Sequence, residues 1–394
     1  MSQPDSAAGA LRERLRRLAG GASRRREPLP AAQRPSTPSV GDGVEVIRAR
    51  FALTHRHGRT ALGECARLLA ERGEQVHLSD TLWLDTETTG LAGGTGTHVF
   101  LVGLGSFNGT TFTIEQFLLR RLSAEGRFLL LIQESLARAR HVVTFNGQRF
   151  DLPLLEARFI LTRLRPISID LHTDLIHPAR RLWHRVLGTH RLSMLEAEIL
   201  GAPRPDDIPG WMIPQTYVQY LRSADRMALE PILSHNRSDL LALLGLHAHV
   251  ARVLRDPDEA GGPIDWEGAG VLLARRGNPR QAAMCFERAL AGPVEERDRW
   301  RVMRRCVRQY RVLGEVGRPR ALWEDAARTC SDAGHYRPLI LVEVAKARER
   351  AGDPAGARAA AEEALRIATH HSSLFVDRLR RRVERLDRRS AAPS

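Results

Sequence analysis

The chain has 394 residues, 43% of them hydrophobic, enough for about two to three domains with real cores. It carries a formal net charge of +14, no run of about 18 apolar residues, and four cysteines (Cys65, Cys285, Cys306, Cys330) without Cys-x-x-Cys spacing. These features exclude a membrane-spanning helix, a structural zinc site and a disulfide scaffold, and they fit a reducing cytoplasm.

The charge needs discounting before it is read as a nucleic-acid signal. Lys346 is the only lysine among 60 basic residues, a bias that points to a GC-rich genome. Residues 1–50 hold ten arginines against five acids, and residues 375–394 hold seven against three. Such basic tails grip phosphate non-specifically and in a salt-dependent way, which supports a nucleic-acid reading without establishing one.

Residues 1–40 read as a disordered basic arm, rich in Arg, Pro and Ser, with a short helix at 11–18. The arm shows no apolar centre of a signal peptide. Residues 41–80 read as a loosely structured lead-in segment. From 81 to 254 strand and helix patterns alternate. Strands are predicted at 81–86, 98–107 and 110–118, with Asn108-Gly109 as a two-residue hairpin turn. A helix at 123–139 follows, N-capped by Ser123, then a strand at 141–145, a helix from Leu152 and a strand at 167–171. Antiparallel strands followed by βα units predict an α/β fold, a mixed sheet flanked by helices.

Beyond 263 the pattern becomes amphipathic helix. The triplets Gly277-Asn278-Pro279, Gly317-Arg318-Pro319 and Gly352-Asp353-Pro354 recur at intervals of 40 and 35, each followed by alanine-rich helix. Residues 264–390 are therefore expected to form tetratricopeptide-like helical repeats, the alternative being an ordinary helical bundle.

Three acidic elements carry the chemistry. Asp85-Thr86-Glu87 ends an apolar strand, and residues two apart share a face, so two carboxylates stand side by side. Their repulsion suits a hard divalent cation between them. The second element is Val142-Val143-Thr144-Phe145-Asn146-Gly147, a strand running into a turn, with Asp151 opening a helix. Alone, Asp151 is an ordinary helix cap. In the third, His235 and Asp239 are four residues apart on one helix face, a pairing that is common on helix surfaces. The glycine-rich stretch Gly93-Gly94-Thr95-Gly96-Thr97 lacks the Gly-Lys-Ser/Thr of a nucleotide-triphosphate loop. Arg180 and Arg181, next to Trp183, offer phosphate contact and a stacking surface.

Taken together, the three elements resemble the DEDD exonucleases of the ribonuclease H-like superfamily. Residues 85–250 resemble more closely the bacterial YprB-type ribonuclease H-like family. The shared stretches include Gly93 to Thr97, Asp174-Leu175, Arg180-Arg181-Leu182-Trp183, Arg191-Leu192-Ser193 and Asp206-Asp207-Ile208-Pro209-Gly210. That resemblance implies a ribonuclease H-like domain at 81–254, with Asp85, Glu87, Asp151 and Asp239 binding two Mg²⁺ or Mn²⁺ ions. It also implies 3′–5′ hydrolysis of DNA or RNA, with Asn146, Arg180 and Arg181 contacting the nucleic acid. His235 departs from the better-studied branches: a histidine stands at the spacing their tyrosine occupies. Imidazoles titrate near neutrality, which suits a general base. The competing expectation is a non-catalytic nucleic-acid-binding or scaffold protein that uses the repeats to hold a protein partner.

Overall fold

The computed structural model describes residues 36–41, 43–70, 77–90, 96–166, 168–330, 335–368 and 371–390. The helix expected at 11–18, Ile167 and Gly93 to Thr95 lie outside these residues.

The centre of the fold is a seven-stranded sheet in the order β1-β2-β7-β6-β5-β8-β9. Strands β5 (Thr81–Thr88), β6 (Val99–Asn108) and β7 (Thr111–Leu119) form an antiparallel meander. Its tight turn is Gly109-Thr110, one residue later than the expected Asn108-Gly109, because Asn108 still pairs with Thr111; Gly109 takes φ +58°. Strands β8 (His141–Thr144) and β9 (Leu171–Asp174) add in parallel beyond β5. This is the expected mixed sheet flanked by helices, and an all-α region follows it.

The end of the arm expected to be disordered (36–40) and part of the expected lead-in segment belong to the sheet. Strand β2 (Val44–Ala52) pairs with β7 along its whole length, and β1 (Ser36–Gly41) pairs with β2. A two-residue hairpin, β3 (Arg56–His57) and β4 (Thr60–Ala61), leads into helix α1 (Leu62–Ala70). The strand expected at 167–171 starts instead at Leu171. Its register is set by the ladder to β8, and its polar side chains find partners there. Thr173 bonds His141 at 2.8 Å and His172 bonds Thr144 at 2.9 Å. Ser123 lies in a short 3-10 turn, so helix α2 (Glu125–Leu136) starts two residues later, without a side-chain cap.

Strand β6 is apolar on both faces because both faces are covered. One face takes α2, α3 (Asp151–Leu161) and α7 (Ile213–Ser223), packed through Phe128, Phe159 and Tyr217. The other takes the 26-residue helix α8 (Glu230–Arg255), which buries Leu240, Leu243 and Leu244 beside Trp83. The short α4 (Ile176–Leu182), α5 (His184–Leu187) and α6 (Leu192–Leu195) pack on the α8 side through Ala179, Leu182, Leu187 and Leu195.

The C-terminal region pairs α9 (Trp266–Arg275) with α10 (Pro279–Ala291) and α11 (Glu296–Val312) with α12 (Gly317–Thr329). The third pair is α13 (Arg337–Arg350) with α14 (Pro354–Ile367), and α15 (Ser373–Ser390) closes the array. The turn triplets act as helix starts: Asn278 and Asp353 cap the following helices, with Pro279 and Pro354 at the first helical position. One apolar core runs from Trp83 through α8 into α9–α15, so the helical array is packed against the sheet domain. Among the described residues no helix is long and apolar enough to cross a membrane.

Candidate metal and catalytic centre

The strand period decides which way each acid faces. Asp85 and Glu87 share the face of Trp83, which lies under α8, while Thr86 points to the opposite face, toward α3. Strand β8 runs parallel to β5 and ends at Thr144. The chain then turns through Asn146, at φ 68°, and opens α3 at Asp151, bringing that acid to the end of β5. Thr86 Oγ1 donates to Asp151 Oδ1 at 2.5 Å.

The α8 side is built around a missing side chain. Asp85, Gly103 and Gln116 lie in register across β5, β6 and β7. A Cβ on Gly103 would stand 2.3 Å from Asn236 Oδ1 and 2.7 Å from Leu240 Cδ1. Glycine thus lets α8 settle directly onto the sheet. The buried Asn236 donates its amide to Asp85 Oδ2 at 2.8 Å and accepts from Gln116 Nε2 at 2.8 Å. One helical turn places His235 and Asp239 on the same side of α8 as Asn236. Glu87, His235 and Asp239 each bring one ligand atom within 4.8 Å of the others.

The electrostatics follow from burying like charges. Burial, then the charges of Asp239, Glu87 and Asp151, pushes the Asp85 carboxyl well above the usual carboxylate range. Glu87 is raised the same way by burial and by Asp239, Asp151 and Asp207. Burial lifts Asp151 to about 6 against the Thr86 hydrogen bond. Burial also raises Asp239, but Arg204 and His235 oppose the shift. Asp85 and Asp151 have no ion-pair partner among the described residues. Hard oxygen donors that raise one another's proton affinity fit a divalent cation.

Behind the acids stands a second layer of side chains drawn from α8, the loop before α7 and the β3–β4 hairpin. His235 Nδ1 lies 2.8 Å from Asp207 Oδ2, leaving Nε2 facing Asp239 Oδ2 at 3.4 Å and Glu87 Oε1 at 3.9 Å. Arg204 forms ion pairs with Asp239 Oδ1 at 2.7 Å and with Glu196 Oε2 at 2.5 Å. Glu196 is fully buried and its other oxygen meets His57 Nε2 at 2.7 Å, so the β3–β4 hairpin braces the site. Asp207 lay in a stretch noted for its resemblance, and Asn236 beside His235. Arg204, Glu196 and His57 had no sequence signal.

Of the other expected residues, Asp174 stands behind Asp151 and adds to its raised proton affinity, whereas Arg180, Arg181 and Trp183 lie on α4 and just after it. Asp174 accepts from the backbone N–H groups of Asn146 at 2.6 Å and Gln148 at 3.1 Å, so it pins the turn before Asp151. Arg180 is exposed and Arg181 half-buried near the end of α4, at the junction with the helical array. Trp183 is fully buried, which removes it as a stacking surface.

Residues 82–251 match the family model of the RNase_H superfamily. The chain is also 29% identical over 367 residues to a Bacillus subtilis (strain 168) protein whose name reads Uncharacterized protein YprB. That similarity covers 87% of this chain and 86% of the Bacillus protein, so it spans the ribonuclease H-like region and much of the helical array.

Proposed function

We propose that this chain is a divalent-metal-dependent nuclease, a 3′–5′ exonuclease acting on DNA or RNA. The observation that carries this reading is the convergence of four carboxylates on the end of β5, where burial raises the proton affinity of each and the neighbouring acids add to the shift at Asp85 and Glu87. Asp85, Glu87, Asp151 and Asp239 would hold two Mg²⁺ or Mn²⁺ ions. When bound, such ions supply Lewis-acid stabilisation of the phosphate and acidify water.

The protein's own part is positional. Asp207 takes the Nδ1 hydrogen of His235, which leaves Nε2 as the proton acceptor for an attacking water. Arg204 holds one oxygen of Asp239, and Asn236 holds one oxygen of Asp85. Asn146, Arg180 and Arg181 serve the nucleic acid outside the acidic centre. Residues 81–254 are the nuclease domain in this reading, and the three helical hairpins with their closing helix are tetratricopeptide-like repeats.

One observation favours a non-catalytic scaffold: Arg204 already neutralises part of Asp239. It leaves the Asp85 and Asp151 carboxylates uncompensated, and a binding module gains nothing from buried negative charge near phosphate. The test is an Mn²⁺-dependent assay on end-labelled DNA and RNA. Stepwise shortening from the 3′ end by the wild type, lost in a folded Asp85→Asn variant, is the expected result. Equal cleavage by the variant overturns the mechanism, and internal cuts replace exonuclease by endonuclease.

A further inference from the structure

Helix α11 carries arginines at 297, 301, 304, 308 and 311, steps of four and three that place all five on one face. The stripe is about 21 Å long at 1.5 Å per residue. It lines a cleft of about 630 Å³ whose walls include Trp300, Trp323 and Tyr336, with Glu343 the single acid. Trp300 lies 6.2 Å from Tyr336, and Arg304 sits over the Trp300 ring at 5.7 Å.

These arginines are not all bound up in ion pairs. Glu267, 4% exposed, holds Arg301 and Arg305 from α11 and Arg185 from α5. That buried hub locks the stripe to the nuclease-like domain. Arg297, Arg304 and Arg308 have no carboxylate partner among the described residues, and all three are exposed. A solvated charged face is the usual fate of such a run. Here, however, the face is concave, aromatic and almost free of acid.

The stripe is also continuous with the candidate centre. Helix α4 begins at the Asp174 loop that pins residues 146–148, and His177 on it bonds Gln148 at 3.2 Å. Seven residues, about 10 Å, lead to Arg181. There α9 comes so close that a Cβ on Gly268 would stand 1.7 Å from the Arg181 carbonyl oxygen. Burial and the charges of Arg275 and Arg305 lower the Arg181 pKa, which places these three cations together.

We propose that the α11 cleft binds the phosphate backbone and bases of a single-stranded nucleic acid whose 3′ end lies at the acidic centre. Resting on the nuclease reading above, it extends it by assigning the strand's path across the helical array. Regularly spaced cations follow the backbone, and Trp300 and Tyr336 supply stacking faces.

The test uses the full chain with Arg297, Arg304 and Arg308 changed to Ala together, and a second variant with the same three changed to Lys. Binding of a long labelled oligothymidylate or oligouridylate is followed by anisotropy in EDTA from about 0.05 to 0.2 M salt. The Ala variant should bind about tenfold or more weakly, and its log–log salt slope should fall by about 2, some 0.7 per lost phosphate contact. The Lys variant should keep the slope, which guards against a folding artefact. Mn²⁺-dependent cleavage of a trinucleotide, too short to reach α11, should stay at the wild-type rate. Unchanged affinity and slope in the Ala variant overturn the cleft. Equal displacement of the oligonucleotide by polyglutamate assigns the cleft to an acidic peptide and overturns it too. Failure of the wild type to cut the trinucleotide removes the nuclease reading while the binding arm is still read independently.

Discussion

Replacing Glu87 with Gln should stabilise the metal-free protein, the opposite of what removing a charge from a structural ion-pair network does. Glu87 and Asp239 bring carboxylate oxygens within 4.8 Å. Two full charges at that distance repel by about 3.5 kcal/mol at an effective dielectric of about 20. Three things reduce this. Arg204 at 2.7 Å screens Asp239. Proton uptake by the raised carboxyls relieves part of the charge. The substitution also gives up the 3.9 Å contact with His235, worth up to about 1 kcal/mol. A net gain of about 1–2 kcal/mol remains, which for a domain of this size is about 2–8 °C in Tm.

The effect has a pH signature. Folded Asp85, Glu87 and Asp239 hold protons more tightly than the unfolded chain does. Their contribution to stability is present below about pH 4, the unfolded value, and is lost as pH rises through the raised folded values. Asp151 joins them near 6. The advantage of Glu87→Gln should therefore be small at about pH 5 and full at about pH 8. Calorimetry in EDTA at both pH values measures it. With Mn²⁺ at about a hundred times its Kd, the wild type gains about 2.7 kcal/mol and the order of the two proteins reverses. A variant that melts at or below the wild type in EDTA at high pH refutes the reasoning. The acids would then be satisfied by Arg204 and His235 and would have no need of a cation.

Two further outcomes probe the supports of the centre. Asp207→Asn should cost about 10–100-fold in kcat while leaving Mn²⁺ affinity and Tm near wild type, because Asp207 sets the orientation of His235. A fall in kcat at unchanged KM distinguishes this from general damage. Gly103→Ala should destabilise by about 1–3 kcal/mol, since its Cβ would meet Asn236 Oδ1 at 2.3 Å on a strand that cannot shift. Activity should fall with it, as Asn236 is displaced from Asp85, and a melt equal to wild type would show that α8 adapts.

What could be read ahead of the structure divides along a physical line. Signals that depend on neighbours in sequence were legible: the meander of β5, β6 and β7 with its hairpin turn at Gly109 to within one residue, the apolar run of β6, and the Asp85/Glu87 and His235/Asp239 spacings. Strand β2 was missed because its alternation of apolar and charged residues, Val44 to Ala52, is also what a short amphipathic lead-in looks like. Only the nine-residue ladder to β7 distinguishes the two. Strand β9 was misplaced for a related reason. Its stability comes from polar pairs with β8, which composition cannot reveal.

The second layer of the centre was hidden for a stronger reason. Arg204 joins Glu196, Asp207 and Asp239, and through Glu196 it reaches His57, so one guanidinium gathers groups from the β3–β4 hairpin, the loop after α6 and helix α8. Apart from Arg204 and Asp207, which are three residues apart in a loop, these groups come from separate elements far apart in sequence. Glu196 and His57 are 139 residues apart, yet the buried Glu196 side chain depends on both the Arg204 ion pair and the His57 contact. A carboxylate cluster reads from sequence as four acids, but its fixity comes from the cations behind it. Breaking that backing by Arg204→Gln leaves Glu196 and Asp239 unmatched, so it should loosen the acids before any metal arrives. Arg204 is thus the residue on which the step from four aligned acids to a rigid centre depends.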